Sequence, residues 1–142
     1  MTALALVALV VLVFLNGMYV AAEFALVRSR RSRFEALAEG GSRRAGRVLR
    51  QLDGIDTYLS TCQIGITMAS IGIGFLGEPA IASLIEPALE DVVSHGVSTA
   101  ISFAIAFAIA TSLHITIGEQ VPKIVAINRA ERAALLLSLI HI

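Results

Sequence analysis

Residues 100–110 read AISFAIAFAIA, and this stretch decides the fold class. A helix of a soluble core keeps a polar face toward water, whereas nearly every position here is apolar. The uncharged run around it extends from Gly96 to Gly118. At about 1.5 Å per residue, about 20 helical residues cross the roughly 30 Å hydrocarbon core of a bilayer. The stretch therefore predicts a transmembrane helix.

Two further uncharged runs of similar length lie earlier in the chain, from Met1 to Ala22 and from Thr57 to Gly77. The 142 residues are 56% hydrophobic and 15% charged, whereas about 25% of the residues are charged in an average soluble domain. This composition excludes a disordered chain, and the single Cys62 excludes a disulfide scaffold. A cleaved signal peptide is the alternative for the first run, but the run lacks a basic n-region and is too long. We therefore predict an all-α, polytopic membrane protein with three transmembrane helices.

The formal net charge of zero conceals a strong separation of charge along the chain. Eight arginines and two glutamates between Arg28 and Arg50 give that segment a charge of +6, while the acidic residues from Glu78 to Asp91 give −4. The segment Lys123–Arg132 is again basic. By the positive-inside rule, both basic segments are cytoplasmic, and the N-terminus and the acidic segment lie outside. A neutral total gives no reason to expect nucleic-acid binding.

The first basic segment predicts a cytoplasmic juxtamembrane helical hairpin. Residues 31–39 have an amphipathic pattern, Gly40-Gly41 breaks the helix, and Ser42 can cap a second helix over 43–52. Apolar stripes beneath the arginines predict that the hairpin lies on the inner leaflet, with its arginines near anionic lipid headgroups. The alternative is a solvated basic loop.

The second span is rich in small residues, and its middle reads QIGITMASIGIGFLG (63–77). Small residues spaced i, i+4 let helix backbones approach closely in lipid, and so many glycines also favour local unwinding. We therefore expect this span to be broken. Glu78-Pro79 would restart a helix, and an outer helix over 80–89 would be kinked or ended by Pro87.

The carboxylate of Glu119 lies within the third span, where ionisable groups mark a functional path or a paired partner. Pro122 lacks an N–H, so it cannot bond to the carbonyl of Gly118, four residues earlier. A carboxylate beside a free carbonyl is an oxygen ligand set for a hard cation such as Mg²⁺. The alternative is an ion pair between Glu119 and Lys123.

The other spans contain groups that could complete such a metal site. Glu23 is a second intramembrane carboxylate, for which an ion pair with Arg28 is the alternative. Neutral oxygens are expected from Asn16, Thr67 and Ser70, for which interhelical hydrogen bonding is the alternative. The sequence contains no zinc-ligand spacing, phosphate-binding loop or nucleophile triad order, so we do not expect an enzyme.

The last six residues, LSLIHI (137–142), are the translation of CTGTCTCTTATACACATC, which matches a common transposase sequencing adapter. We therefore expect residues 1–136 to be a transmembrane domain that is incomplete at its C-terminus, and residues 137–142 to be a non-native tail. The alternative is the genuine start of a fourth apolar segment.

Three stretches of the chain form a distinctive set, namely NGMYVAAEFALVRSRRSR (16–33), QIGITMASIGIGFLGEPAIA (63–82) and IGEQVPKIVA (117–126). Through them the chain resembles the CNNM/CorC family, which includes bacterial haemolysin C-like proteins, over residues 3–136. The resemblance implies a homodimeric domain in the bacterial inner membrane, surrounded by lipid and followed in the full-length parent by a cytoplasmic CBS-pair domain. It also implies export of Mg²⁺ in exchange for Na⁺.

In that family the bound Mg²⁺ is held by the glutamate of span three, small polar residues of spans one and two, and backbone carbonyls. Gly118 and Glu119 match the Gly-Glu pair in span three of that family. The chain departs at Gly65-Ile66-Thr67, where many members have an Asn-rich stretch, and at Val20-Ala21-Ala22, where many have serines. The resemblance thus implies a Mg²⁺ transporter domain. The alternatives are a non-transporting anchor and dimerisation module for CBS domains and, from the haemolysin label alone, a pore-forming toxin.

Overall fold

The computed structural model describes residues 2–90 and 92–138, and nearly all of them are helical. The α-helices are α1 (Thr2–Arg28), α2 (Arg31–Glu39), α3 (Arg43–Asp53), α4 (Ile55–Gly72), α5 (Glu78–Glu90), α6 (His95–Leu113), α7 (Val121–Asn128) and α8 (Ala130–Leu137). Two π-helical segments, Ile73–Gly77 and His114–Gln120, join α4 to α5 and α6 to α7. Within the described residues there is no strand, which confirms the all-α prediction.

Three helices are long and apolar enough to cross a membrane, namely Thr2–Arg28, Ile55–Glu90 and His95–Asn128. They correspond to the three predicted spans, which the structure confirms in number and position. We refer to them as span one, span two and span three.

Span two is not interrupted where the glycines predicted a break. It continues through the π-helical segment Ile73–Gly77 directly into α5, so the glycine-rich region changes the helix type rather than ending the helix. Pro87 does not end α5 either, because the helix continues to Glu90. A π segment is closed by hydrogen bonds between residues i and i+5, so it keeps the backbone hydrogen-bonded where an unwound segment would not.

Three glycines of span two, namely Gly65, Gly72 and Gly77, lie on the surface against which α1 packs. A Cβ atom added at Gly65 would lie 2.7 Å from the ring of Tyr19, and one added at Gly77 would lie 2.7 Å from the side chain of Leu9. Small residues on this face therefore allow the close approach of the two helices. Helix α1 also contacts α7 and α8, which places it at the centre of the bundle.

The helical hairpin forms as predicted. Helix α2 ends at Glu39, Gly41 has a positive φ of 87°, and the Ser42 hydroxyl caps α3 by accepting a hydrogen bond from the Ala45 amide. The apolar side of the hairpin packs on protein, because Phe34 and Val48 are fully buried in one cluster with residues of α1, α7 and α8. Protein contacts therefore cover part of the stripe that was expected to face the inner leaflet, whereas Leu37 of α2 remains exposed.

Two sequence-based expectations fall on residues that lie outside the described ranges. These are Asp91 of the acidic segment and residues 139–142 of the expected tail. Of the remaining tail residues, Leu137 ends α8, and Ser138 is buried and donates a hydrogen bond to the Leu135 carbonyl at 2.8 Å. The origin of residues 137–142 stays a prediction.

Candidate metal centre

The three spans meet at a buried polar cluster. Asn16 of span one is fully buried, and its side-chain amide donates a hydrogen bond to the main-chain carbonyl of Gly118 in span three at 2.9 Å. From span two, the Ser70 hydroxyl lies 3.5 Å from Asn16 Oδ1 and 3.1 Å from Nε2 of His114. Polar side chains inside a membrane bundle are costly unless they bond to one another, and here the bonds connect all three spans.

The carbonyl of Gly118 is released by Pro122, as the sequence predicted, but it has a partner within the chain. Pro122 has no N–H to donate, and Asn16 supplies the missing hydrogen bond from another helix. A carbonyl oxygen has two lone pairs, so it can accept a second donor or ligand besides Asn16. The surrounding backbone is the π-helical segment His114–Gln120, a distortion that occurs frequently at functional sites.

A small polar cavity of about 140 Å³ opens beside this cluster, between spans two and three. Its lining includes Ser70, Glu78, Thr111 and His114. His114 and Glu78 were not predicted as site residues, because histidines were considered only in metal-ligand spacings and Glu78 was assigned to the acidic segment outside the membrane. His114 lies inside the third uncharged run, where an ionisable residue marks a functional site, so the sequence contained a signal for it.

The Glu119 carboxylate is half-buried, and it forms no ion pair or hydrogen bond with any other described residue. The expected alternative, an ion pair with Lys123, is absent. The Lys123 ammonium instead lies over the ring of Phe24, 4.6 Å from its centroid, in a cation–π contact with span one. Glu119 is therefore a carboxylate without a described counter-charge, next to the Gly118 carbonyl in sequence.

Two other predicted ligands lie apart from the cluster. The Glu23 carboxylate accepts a hydrogen bond from the Gln63 side-chain amide at 3.2 Å and does not pair with Arg28 in the described structure. Thr67 is exposed, and its hydroxyl donates to the carbonyl of Gln63 in its own helix at 2.8 Å. Of the six predicted ligands, hydrogen bonds join Asn16, Ser70 and Gly118, with Glu119 adjacent in the chain.

A family model described as the cyclin M transmembrane N-terminal domain matches residues 7–142. The chain belongs to the CNNM family. The matched range includes the six C-terminal residues, and it contains every side chain of the candidate site.

Curated relatives of this CNNM domain occur in Bacillus subtilis. The UPF0053 proteins YhdT, YhdP and YugS are 45%, 42% and 37% identical to it over 133, 132 and 136 residues. These matches cover 90%, 92% and 95% of this chain but only 28%, 30% and 32% of the relatives. The chain thus spans about three-tenths of the length of the curated relatives it matches.

One histidine of the CNNM domain lies in a second polar group at the opposite end of span two from the hairpin. Nδ1 of His95 lies 2.8 Å from Glu90, and the Thr99 hydroxyl donates to Glu86. The side chains of Glu86, Glu90 and His95 each have one possible metal-ligand atom, and these three atoms lie within 4.8 Å of one another. The sequence had not predicted a metal site with a histidine here. The two hydrogen bonds account for this partly exposed arrangement without an ion.

Proposed function

We propose that this CNNM domain is the membrane domain of a divalent-cation transporter that exports Mg²⁺ in exchange for Na⁺, with Glu119 as the charged ligand. The observation that carries the proposal is the hydrogen bond between Asn16 and Gly118, because it brings spans one and three together next to Glu119. The activity is transport rather than catalysis, and Mg²⁺ is its substrate.

The oxygen atoms of the cluster that contains Gly118, the residue before Glu119, suit a hard cation. The Gly118 carbonyl oxygen has two lone pairs, and the Asn16 carbonyl oxygen and the Ser70 hydroxyl lie in the same cluster. Mg²⁺ prefers oxygen ligands, commonly one or two carboxylates with retained waters. In this proposal Glu23 and Thr67, which lie apart from the cluster, belong to the route of the ion rather than to the central site.

Movement of the ion requires that the site open to one side of the membrane at a time. The two π-helical segments, Ile73–Gly77 and His114–Gln120, lie in the two spans that border the cavity. Such π-helical segments occur frequently at functional sites, and their backbone remains hydrogen-bonded. We propose that spans two and three rearrange at these segments to alternate access.

The charge distribution supports a membrane setting for this proposal. We propose that the protein lies in the bacterial inner membrane with the N-terminus outside and the hairpin in the cytoplasm, because Arg28–Arg50 is strongly basic. The greater length of the relatives is consistent with further domains. We propose that the full-length protein is a homodimer with a cytoplasmic CBS-pair domain.

The test is the substitution Glu119→Gln in the full-length protein, measured as Mg²⁺ efflux from loaded cells or vesicles. The variant removes the charge and keeps the volume, so we expect efflux to fall to background while the protein still reaches the membrane. Glu39→Gln is the matched control, because Glu39 is an exposed hairpin carboxylate that forms no described ion pair. Efflux at the parental rate in Glu119→Gln would contradict the assigned ligand.

A second candidate function is a non-transporting anchor and dimerisation module for cytoplasmic regulatory domains. It is favoured by the internal bonding of the cluster, since Asn16 satisfies the Gly118 carbonyl without an ion. Isothermal titration of the purified full-length protein with Mg²⁺ separates the two functions. Heat that saturates and is lost in Glu119→Gln supports the transporter, and a flat titration in both proteins supports the anchor.

A further inference from the structure

An open cleft of about 400 Å³ lies where span one ends and where α7 gives way to α8. Four arginines line it, and they come from two separate segments of the chain. Arg28 ends α1, Arg30 lies in the loop before α2, Arg129 lies between α7 and α8, and Arg132 lies in the first turn of α8.

These four guanidinium groups have no carboxylate partner among the described residues. Among the described residues, Glu131 is the only acidic side chain that lines the cleft, and Arg33 of α2 already binds it through two hydrogen bonds of 2.9 and 3.3 Å. This hydrogen bonding raises the pKa of Arg33, which therefore remains charged. The negative charge of Glu131 is thus neutralised by an arginine outside the cleft, and the charge of the four lining arginines is left uncompensated.

The chemistry of the lining selects for a phosphate group. A guanidinium presents a planar pair of donors that binds two phosphate oxygens at once, which an ammonium cannot do. The N-terminus of α8 also opens at the cleft, with no side-chain cap on its amide groups, and adds positive potential. Cations, in contrast, would meet four positive charges here.

The position of the cleft places it at the membrane surface. Arg28 is the last residue of span one and Asn128 the last of span three, so the cleft lies where the apolar spans end. The hairpin was expected to lie on the inner leaflet through the apolar stripes beneath its arginines. Two side chains of those stripes, Phe34 and Val48, are instead fully buried against protein.

We propose that this arginine cleft, defined by Arg28, Arg30, Arg129 and Arg132, binds the phosphate group of an anionic ligand. The source is either a phospholipid headgroup or a soluble phosphate compound. The site is independent of the proposed ion path, because it shares no residue with the cluster around Asn16.

The experiment measures binding of dioleoyl-phosphatidylglycerol and dioleoyl-phosphatidylcholine to the purified full-length protein by native mass spectrometry. We expect phosphatidylglycerol to bind more tightly, and Arg129→Gln/Arg132→Gln to weaken that binding by about fivefold for each arginine removed. The matched control is Arg43→Gln/Arg44→Gln, which removes the same charge from two exposed hairpin residues outside the cleft. Arg30→Gln serves as a second test variant, because Arg30 lies in a loop and its replacement does not disturb a helix.

The outcomes separate lipid binding at the arginine cleft from general electrostatic attraction between the lipid and the basic protein surface. Weaker binding in the cleft variants with normal binding in the control supports the site. Equal binding in the wild type, the double cleft variant and Arg30→Gln, or an equal loss in the control, overturns it.

Inorganic phosphate is then added as a competitor. Displacement of the lipid indicates that the cleft recognises the phosphate group alone, and binding that resists phosphate identifies the lipid headgroup as the source.

Discussion

The side-chain amide of Asn16 donates a 2.9 Å hydrogen bond to the main-chain carbonyl of Gly118, although the two residues lie 102 positions apart. This carbonyl would normally accept the N–H of residue 122 in its own helix, but that residue is Pro122. A bond between two helices therefore replaces a bond within one helix. The replacement links the packing of span one to the distorted backbone that carries Glu119.

Replacing Asn16 with alanine should destabilise the protein. The variant leaves a buried carbonyl without its donor, which costs about 1–2 kcal/mol even after allowance for the weaker hydrogen bonds measured in membrane proteins. The measurement is the free energy of unfolding of the purified protein in detergent. Asn128→Ala is the control, because Asn128 is exposed, and its effect should be close to zero. Equal effects of the two substitutions would contradict the assigned role of Asn16.

Pro122→Ala should reduce the contribution of Asn16 to the free energy of unfolding. The new backbone N–H of residue 122 can bond to the Gly118 carbonyl, so that carbonyl no longer depends on Asn16 alone. A double-mutant cycle of Asn16→Ala and Pro122→Ala should therefore give a coupling energy of about 0.5–1 kcal/mol. Free energies of unfolding that add without any coupling would mean that the two residues do not share this carbonyl.

Glycine-to-alanine substitutions at two helical positions should have opposite signs. A Cβ atom at Gly17 would lie 2.9 Å from Cγ of Pro122, whose ring cannot rotate away, so Gly17→Ala should cost about 1–3 kcal/mol. A Cβ atom at Gly46 in α3 would meet nothing within 4 Å, and Gly46→Ala should stabilise the protein by about 0.5–1 kcal/mol. Thermal unfolding of both variants provides the test. A stabilised Gly17→Ala would show that span one and Pro122 are not in close contact.

The ion pair between Arg33 and Glu131 joins the hairpin to α8 and should contribute little to stability. The Arg33 side chain is largely exposed and that of Glu131 is partly exposed, and surface pairs of this kind contribute about 0–1 kcal/mol. Glu131→Gln should therefore lower the free energy of unfolding by less than about 1 kcal/mol, and the effect should disappear in high salt. Glu39→Gln, which breaks no described ion pair, should have no effect in either buffer. A large loss that persists in salt would indicate a structural role beyond the ion pair.

Most of the fold could be predicted from the sequence. The three spans, the hairpin and its Ser42 cap depend on runs of apolar residues and on short-range capping, both of which are local properties. The predicted break in span two was wrong for a physical reason. Local sequence indicates that glycines weaken a helix, but only the packing of α1 on Gly65 and Gly77 indicates what holds the helix together.

The candidate site was predicted in part. Residue type and hydropathy singled out Glu23 and Glu119, because a charge within an apolar run is visible in one dimension. The partners of these carboxylates were not predictable, since both in-helix ion pairs that were weighed as alternatives are absent in the described residues. Gln63 binds Glu23 instead, and Lys123 turns toward Phe24.

The sequence by itself determined that the chain is a bundle of three apolar spans with a basic hairpin, because hydrophobic length and charge bias act on each segment independently. Only the tertiary structure decided which polar groups meet. Asn16, Ser70 and His114 belong to different spans, and their hydrogen bonds depend on how the helices rotate and cross. Helix rotation is set by close contacts between small residues, and these contacts exist only after the spans have packed.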